Sequence, residues 1–315
     1  MRHAHHHGHR RRRLGAWLAG IVGLAVVGVL LYQARRIDWH AVARAAHDIP
    51  GPAVALAAAL ALAGYLAYAG FDILARRYAG HHLPAWQVAT IAMTSYALNL
   101  NLGVLLGGVA VRLRLYGRHG LRTACGLRVV AFATATNWVG YAWLAGILLL
   151  TGQMPTPAGW HLGAGLLRTV GAALLAGALA YLYLCRYARR RAYTLRGHRW
   201  VLPDLPTALR QMGLAGVSWA IMGGIIYVLL QGSAPYAEVL AILLFSSIAA
   251  LLAHIPGGLG VIEALFAAAL ATRMPASESL GAVLMYRLLY AWIPLCLALP
   301  AYLGAEWRHR RAAAG

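Results

Sequence analysis

Apolar runs long enough to cross a membrane dominate the chain, and short clusters of Arg, Pro and Gly separate them. A helix needs about 20 apolar residues to span the hydrocarbon core. Six runs therefore predict full transmembrane helices: residues 14–32, 52–74, 123–150, 162–184, 212–230 and 280–303. Two further apolar stretches, residues 85–111 and 238–272, are each interrupted by polar residues and by a glycine pair. Gly107 and Gly108 precede Arg112 in the first, and Gly257 and Gly258 precede Glu263 in the second. Between the first two runs, Ile37, Val42, Ala45 and Ile49 fall near one side of a helix, with Trp39 and His40 beside them. This pattern predicts an amphipathic helix over residues 37–49 in the outer interface.

Charge selects between two topologies for the interrupted stretches. If both are re-entrant hairpins, 21 of the 28 arginines lie on the cytoplasmic side and four outside. If each stretch crosses once, ten lie inside and 15 outside. The excess of Arg in cytoplasmic loops of membrane proteins selects the first arrangement. The expected fold is an all-α polytopic membrane protein with six full transmembrane helices and two oppositely oriented re-entrant helical hairpins. That makes eight membrane segments, arranged as a weak inverted repeat. Residues 14–305 form a single transmembrane domain between a basic, His-rich cytoplasmic arm (1–13) and a basic cytoplasmic tail (306–315). The run 14–32 follows Arg10 to Arg13 as a signal peptide would, but reaches Arg35 and Arg36 without a small-x-small cleavage site, so it reads as an uncleaved anchor.

Composition narrows the function. Of 315 residues, 61% are apolar and 11% charged, against about 25% charged in soluble domains, which excludes an ordinary soluble enzyme. All 28 basic residues are Arg, only eight residues are acidic, and the net charge is +20. With so apolar a chain, the partner of this charge is anionic membrane lipid and not nucleic acid. Cys125, Cys185 and Cys296 are isolated in apolar stretches and read as small core residues. No hydrolase, zinc-protease, P-loop or dinucleotide-binding motif occurs in its required context. No enzyme activity, cofactor or metal site is expected; His3, His5, His6, His7 and His9 lie on a tag-like arm.

Ionisable residues inside apolar runs are costly and mark candidate sites. Asp72 stands four and five residues before Arg76 and Arg77, the spacing of an ion pair along one helix. Glu263 lies within HIPGGLGVIEALF (254–266) and requires a partner, with Arg287 in the last run and Arg112 in the first hairpin as the two possibilities. Tyr96, Asn99 and Asn101 are polar positions in the first hairpin, and Arg112 and Arg114 stand at its cytoplasmic mouth. Two guanidiniums beside glycine backbone suit a phosphate, which arginine binds through paired hydrogen bonds. Arg128 and Arg168 also fall within apolar runs, and Thr134, Thr136, Asn137 and Trp138 form a further polar cluster.

The blocks DILARRYAGHHL (72–83), YALNLNLGVLLGGVAVRLRLYGRHGL (96–121), TNWVGY (136–141) and HIPGGLGVIEALF (254–266) resemble the YbhN-like inner-membrane proteins. That family sits within the larger group named for the transmembrane part of lysylphosphatidylglycerol synthases, and the resemblance covers nearly the whole chain. It implies a flippase-like, multi-pass protein of the bacterial inner membrane. In the synthases the related membrane part moves an aminoacylated phospholipid between leaflets, while a separate soluble domain makes that lipid. No such domain is read before Gly315, so aminoacyl transfer is not expected. The resulting expectation is a protein that binds and translocates an anionic phospholipid or lipid-linked phosphate. Arg112, Arg114, Asn99, Gly107 and Gly108 would line one hairpin, and Gly257, Gly258, Glu263, Arg287 and His254 the other. The alternative is a non-transporting scaffold whose Arg-rich segment 186–210 docks a lipid- or envelope-synthesis enzyme.

Overall fold

A computed structural model describes residues 40, 44, 47–155, 163–189, 192–195, 198–252 and 256–312. The expected span 14–32 and most of the amphipathic segment 37–49 lie outside them. Among the described residues, five helical segments are long and apolar enough to cross a membrane. They are α1 (Gly51–Ala79), α4 (Thr123–Leu150), α5 (Ala164–Tyr187), α6 (Leu205–Leu229) and a last rod that is apolar over Ala276–Gly304. These correspond to the last five of the six expected spans, and α4 has the expected limits. Helix α6 begins seven residues earlier than its apolar run, because the Asp204 side chain accepts from the Thr207 N–H and Pro206 occupies the first turn.

Both interrupted stretches are helical hairpins. In the first, α2 (Ala85–Leu102) ends at Gly103, and the chain returns through a π-helical segment, Val104–Ala110, into α3 (Val111–Arg118). Gly103 has φ 83°, a backbone geometry that disfavours any side chain. Apolar Val104, Leu105 and Leu106 stand exposed at the hairpin tip. In the second, α7 (Tyr236–Leu252) is followed by a 3-10 turn, Pro256–Gly258, and by α8 (Val261–Ala269). Gly257, Gly258 and Gly260 all have positive φ, and the turn packs against α2 of the first hairpin.

The glycine pair of the first hairpin lets its arms touch. A Cβ on Gly107 would strike the Leu98 carbonyl and the Asn99 nitrogen, and one on Gly108 would lie 2.9 Å from Asn99 Oδ1. Replacing Gly107 by Ala is therefore expected to cost about 1–3 kcal/mol of stability through overpacking. Gly117→Ala, where nothing lies within 4 Å, is the matched control. Thermal unfolding of both variants in detergent tests this, and equal melting temperatures would refute it.

The last rod comprises α9 (Ala276–Arg287), a π turn (Leu288–Trp292) and α10 (Ile293–Ala312). Pro294 has no N–H to offer the Tyr290 carbonyl four residues earlier, which opens the helix at this turn. The Tyr65 hydroxyl donates to that carbonyl at 3.1 Å, and Asn101 Nδ2 donates to the next, Ala291, also at 3.1 Å. In an apolar surrounding such substitutes are required, since an unpaired backbone group costs several kcal/mol.

Small residues bring the other helices together. Gly140 of α4 meets Ala215 of α6, and Gly146 of α4 meets Gly171 of α5, both at backbone distance. Leu56, Leu62 and Leu66 of α1 are exposed on the outside of the bundle. Within the segment expected as an Arg-rich loop, strands β1 (Ala192–Leu195) and β2 (His198–Val201) form an antiparallel hairpin. It is the exception to the all-helical expectation among the described residues, and Tyr78 Oη donates to the Val201 carbonyl at 2.6 Å to tether it to α1.

Candidate functional site

Each hairpin carries a charged residue on its second arm, and each charge finds its partner outside the hairpin. On the first, Arg112 is 3% exposed and lies 3.4 Å from the carboxylate of Asp72 on α1, which is fully buried. Tyr116 Oη donates to the other carboxylate oxygen at 2.8 Å, and Arg112 Nη2 donates to Tyr68 Oη at 3.1 Å. Arg112 Nε and Asp72 Oδ1 have no hydrogen-bond partner among the described residues. The expected pairing of Asp72 with Arg76 or Arg77 along one helix is thus corrected. Asp72 faces inward, whereas Arg76 turns back to the Leu83 carbonyl and Arg77 is exposed.

On the second hairpin, Glu263 pairs with Arg287, so of its two expected partners the one on the last rod is taken. Arg287 Nε and Nη2 both donate to the Glu263 carboxylate, the latter at 3.0 Å. Its remaining donors reach the Gly257 carbonyl at 2.7 Å and the Gly258 carbonyl at 2.8 Å. Glu263 also accepts from the Gly260 N–H at 2.9 Å. One guanidinium therefore ties the glycine turn and α8 to α9. The planar fork of arginine suits this task, because its five N–H groups diverge toward several acceptors at once.

A tyrosine cluster lies between the two ion pairs. The Tyr68 ring stacks on Tyr96 with centroids 3.6 Å apart, Tyr96 Oη and Tyr290 Oη are 3.3 Å apart, and Tyr290 stacks on Tyr286, the residue before Arg287. Tyr65 packs edge-on against both Tyr96 and Tyr290. An unbroken path of aromatic and hydroxyl groups thus runs from Arg112 to Arg287 through the protein interior.

The other predicted residues have more local roles. Arg114 forms a two-pronged pair with Glu306 on α10, at 2.5 and 3.1 Å, and Arg118 joins the same carboxylate. Asn99 abuts Gly108, and His254 lies outside the described residues. Thr136 is buried and accepts from Gln211 Nε2 at 2.8 Å, whereas Thr134 and Trp138 are exposed. Arg128 and Arg168 are exposed near the ends of their helices, where the side chain can reach the headgroups. Cys185 is buried as expected, but Cys296 is exposed.

Sequence reasoning missed Glu306, Glu238, Tyr68, Tyr116 and Tyr290. Glu238 at the start of α7 pairs with Arg273 beyond α8 at 2.9 Å and closes the base of the second hairpin. The scarcity of acid was the available signal. Of eight acidic residues, Asp72, Glu238, Glu263 and Glu306 each hold an arginine.

Residues 17–298 match the family described as the lysylphosphatidylglycerol synthase TM region. The chain is 40% identical over 296 residues to the inner membrane protein YbhN of Escherichia coli K12, covering 94% of this chain and 92% of YbhN. It is 31% identical over 293 residues to the uncharacterized protein slr0712 of Synechocystis sp., covering 90% of each. With five apolar helices of spanning length and these matches, the chain is a multi-pass inner-membrane protein that belongs to the lysylphosphatidylglycerol synthase transmembrane-region family, in its YbhN-like branch.

Proposed function

We propose that the protein binds an anionic phospholipid or lipid-linked phosphate and carries it between leaflets without covalent chemistry. The observation that supports this reading is the placement of Arg112 and Arg287. Each is buried on or beside a hairpin whose partner carboxylate belongs to a different element. Moving a hairpin breaks an ion pair in a medium of low dielectric, and a passing phosphate replaces the lost carboxylate at the guanidinium. Broken helices at membrane depth, arranged as oppositely oriented hairpins in an inverted repeat, serve this purpose in transporters. In this arrangement the hairpins are re-entrant, both termini are cytoplasmic, and the exposed apolar tip formed by Val104, Leu105 and Leu106 rests in hydrocarbon.

Purified protein in liposomes is expected to exchange a fluorescent phosphatidylglycerol between leaflets faster than empty vesicles do, and Glu263→Gln is expected to slow that exchange at least tenfold. No exchange with any anionic lipid would overturn the transport reading. Crosslinking that recovers one stoichiometric enzyme, with Glu263→Gln fully functional in the cell, would establish the scaffold instead. Topology is checked in a background lacking Cys125, Cys185 and Cys296. A single Cys at position 118 or 196 is expected to react only with reagent supplied from the cytoplasmic side, and labelling from outside would refute the re-entrant arrangement.

A further inference from the structure

A groove of about 530 Å³ runs along the outer face where α1 meets α6. Its walls carry the same helical spacing on both sides. On α1, Gly70, Ile73, Leu74 and Arg77 recur at intervals of three and four residues, and on α6 so do Arg210, Gly213, Leu214 and Val217. Residues so spaced share one face of a helix. Each wall is therefore apolar along its length and ends in arginine. Arg76, Arg77 and Arg210 meet at the same end of the groove. Arg76 donates to the Leu83 carbonyl, no carboxylate pairs with any of the three among the described residues, and Arg77 and Arg210 are exposed. This contrasts with Arg112, Arg114, Arg118, Arg273 and Arg287, each of which holds a carboxylate.

We propose that this groove holds one anionic phospholipid, with its phosphate among Arg76, Arg77 and Arg210 and an acyl chain laid along Gly70, Gly213 and Leu214. The shape of the groove follows from its glycines. A Cβ on Gly213 would meet nothing within 4 Å, so the absent side chain leaves open space above the wall, while Gly70 and Leu214 close the floor at contact distance. From Gly70 to Arg77 the groove follows two helical turns, about 10 Å, which carries a chain from headgroup level into hydrocarbon. Charge argues against the protein occupants. The apolar run 14–32 is flanked by Arg10 to Arg13 on one side and by Arg35 and Arg36 on the other, so either end would add positive charge to the three guanidiniums. A second copy brings a net charge of +20. A soluble phosphate ester satisfies the arginines and leaves the apolar walls unused. This inference deepens the lipid reading and rests on it only for the class of ligand, because binding here requires no movement between leaflets.

Native mass spectrometry of the full chain in a neutral detergent, titrated with dioleoylphosphatidylglycerol, tests the site. One saturable lipid adduct is expected, with dioleoylphosphatidylcholine binding far more weakly. The triple change Arg76→Gln, Arg77→Gln and Arg210→Gln is expected to weaken phosphatidylglycerol binding about a hundredfold, from the loss of three surface cations. Gly213→Leu, which fills the groove and disturbs no packed neighbour, is expected to weaken it about tenfold. Excess glycerol 3-phosphate should not displace the lipid. Wild-type affinity in either variant, displacement by glycerol 3-phosphate, or a dimer that Gly213→Leu dissolves would overturn the proposal. Saturable binding that both variants weaken, in a protein that shows no leaflet exchange, would uphold the groove and refute translocation.

Discussion

Arg287→Ala is expected to destabilise the protein by about 3–5 kcal/mol, the range observed when one member of a buried ion pair is removed. The loss is large because four acceptor contacts disappear together. Both oxygens of Glu263 and the carbonyls of Gly257 and Gly258 lose their guanidinium, and the Glu263 carboxylate, only 13% exposed in the intact pair, keeps only the Gly260 N–H. Replacing both partners is expected to cost less than this single change, since Glu263→Gln with Arg287→Met leaves no uncompensated charge in a low-dielectric site. Unfolding curves in detergent for the two single variants and the double variant measure the coupling. Additive losses would mean that the pair contributes nothing as a pair.

Arg112→Ala is expected to fall in the same range, about 3–5 kcal/mol, because it strands the fully buried carboxylate of Asp72 with a single hydroxyl donor from Tyr116. Tyr116→Phe, which removes one hydrogen bond to a charged group, is expected to cost about 1.5–3 kcal/mol. Arg77→Ala should stay within about 0.5 kcal/mol of the parent, as a change at an exposed position away from packed features does. That order distinguishes the observed partnership from a pair along α1. If Arg77→Ala proved as damaging as Arg112→Ala, Asp72 would belong to its own helix after all. The two pairs are expected to be independent in stability, yet both variants are expected to slow leaflet exchange, because the tyrosine path joins them without a shared carboxylate.

How much of this was legible beforehand varies with the distance over which each feature is built. The hairpins could be read because a glycine pair beside polar residues in an apolar run is a local pattern, and the structure uses Gly107 to let two backbones touch. The Glu263 partner was legible only as a choice of two, since Arg287 lies within one apolar run and Arg112 at the edge of another, and no spacing rule separates them. Asp72 was misread because the helical spacing to Arg76 is real, yet each side chain finds a partner elsewhere: Asp72 is buried against Arg112 and Tyr116, and Arg76 donates to the Leu83 carbonyl. The Arg114 partner, Glu306, was not legible because it lies 192 residues away in a segment that looked like a plain tail.

By itself the sequence determined that this is a multi-pass membrane protein, where five described spans run, and where the chain turns back. Each of these is a one-dimensional requirement. A segment in hydrocarbon must be apolar over its own length and must satisfy its own backbone hydrogen bonds, so every segment carries its evidence within itself. Only the tertiary structure decided which arginine each carboxylate holds, that Tyr65 and Asn101 restore the carbonyls near Pro294, and that two glycine-bearing faces ending in arginine line one groove. These features join groups as much as 225 residues apart. Such groups meet only because small residues let the helices pack closely, and an apolar run looks the same in sequence whichever neighbour it packs against.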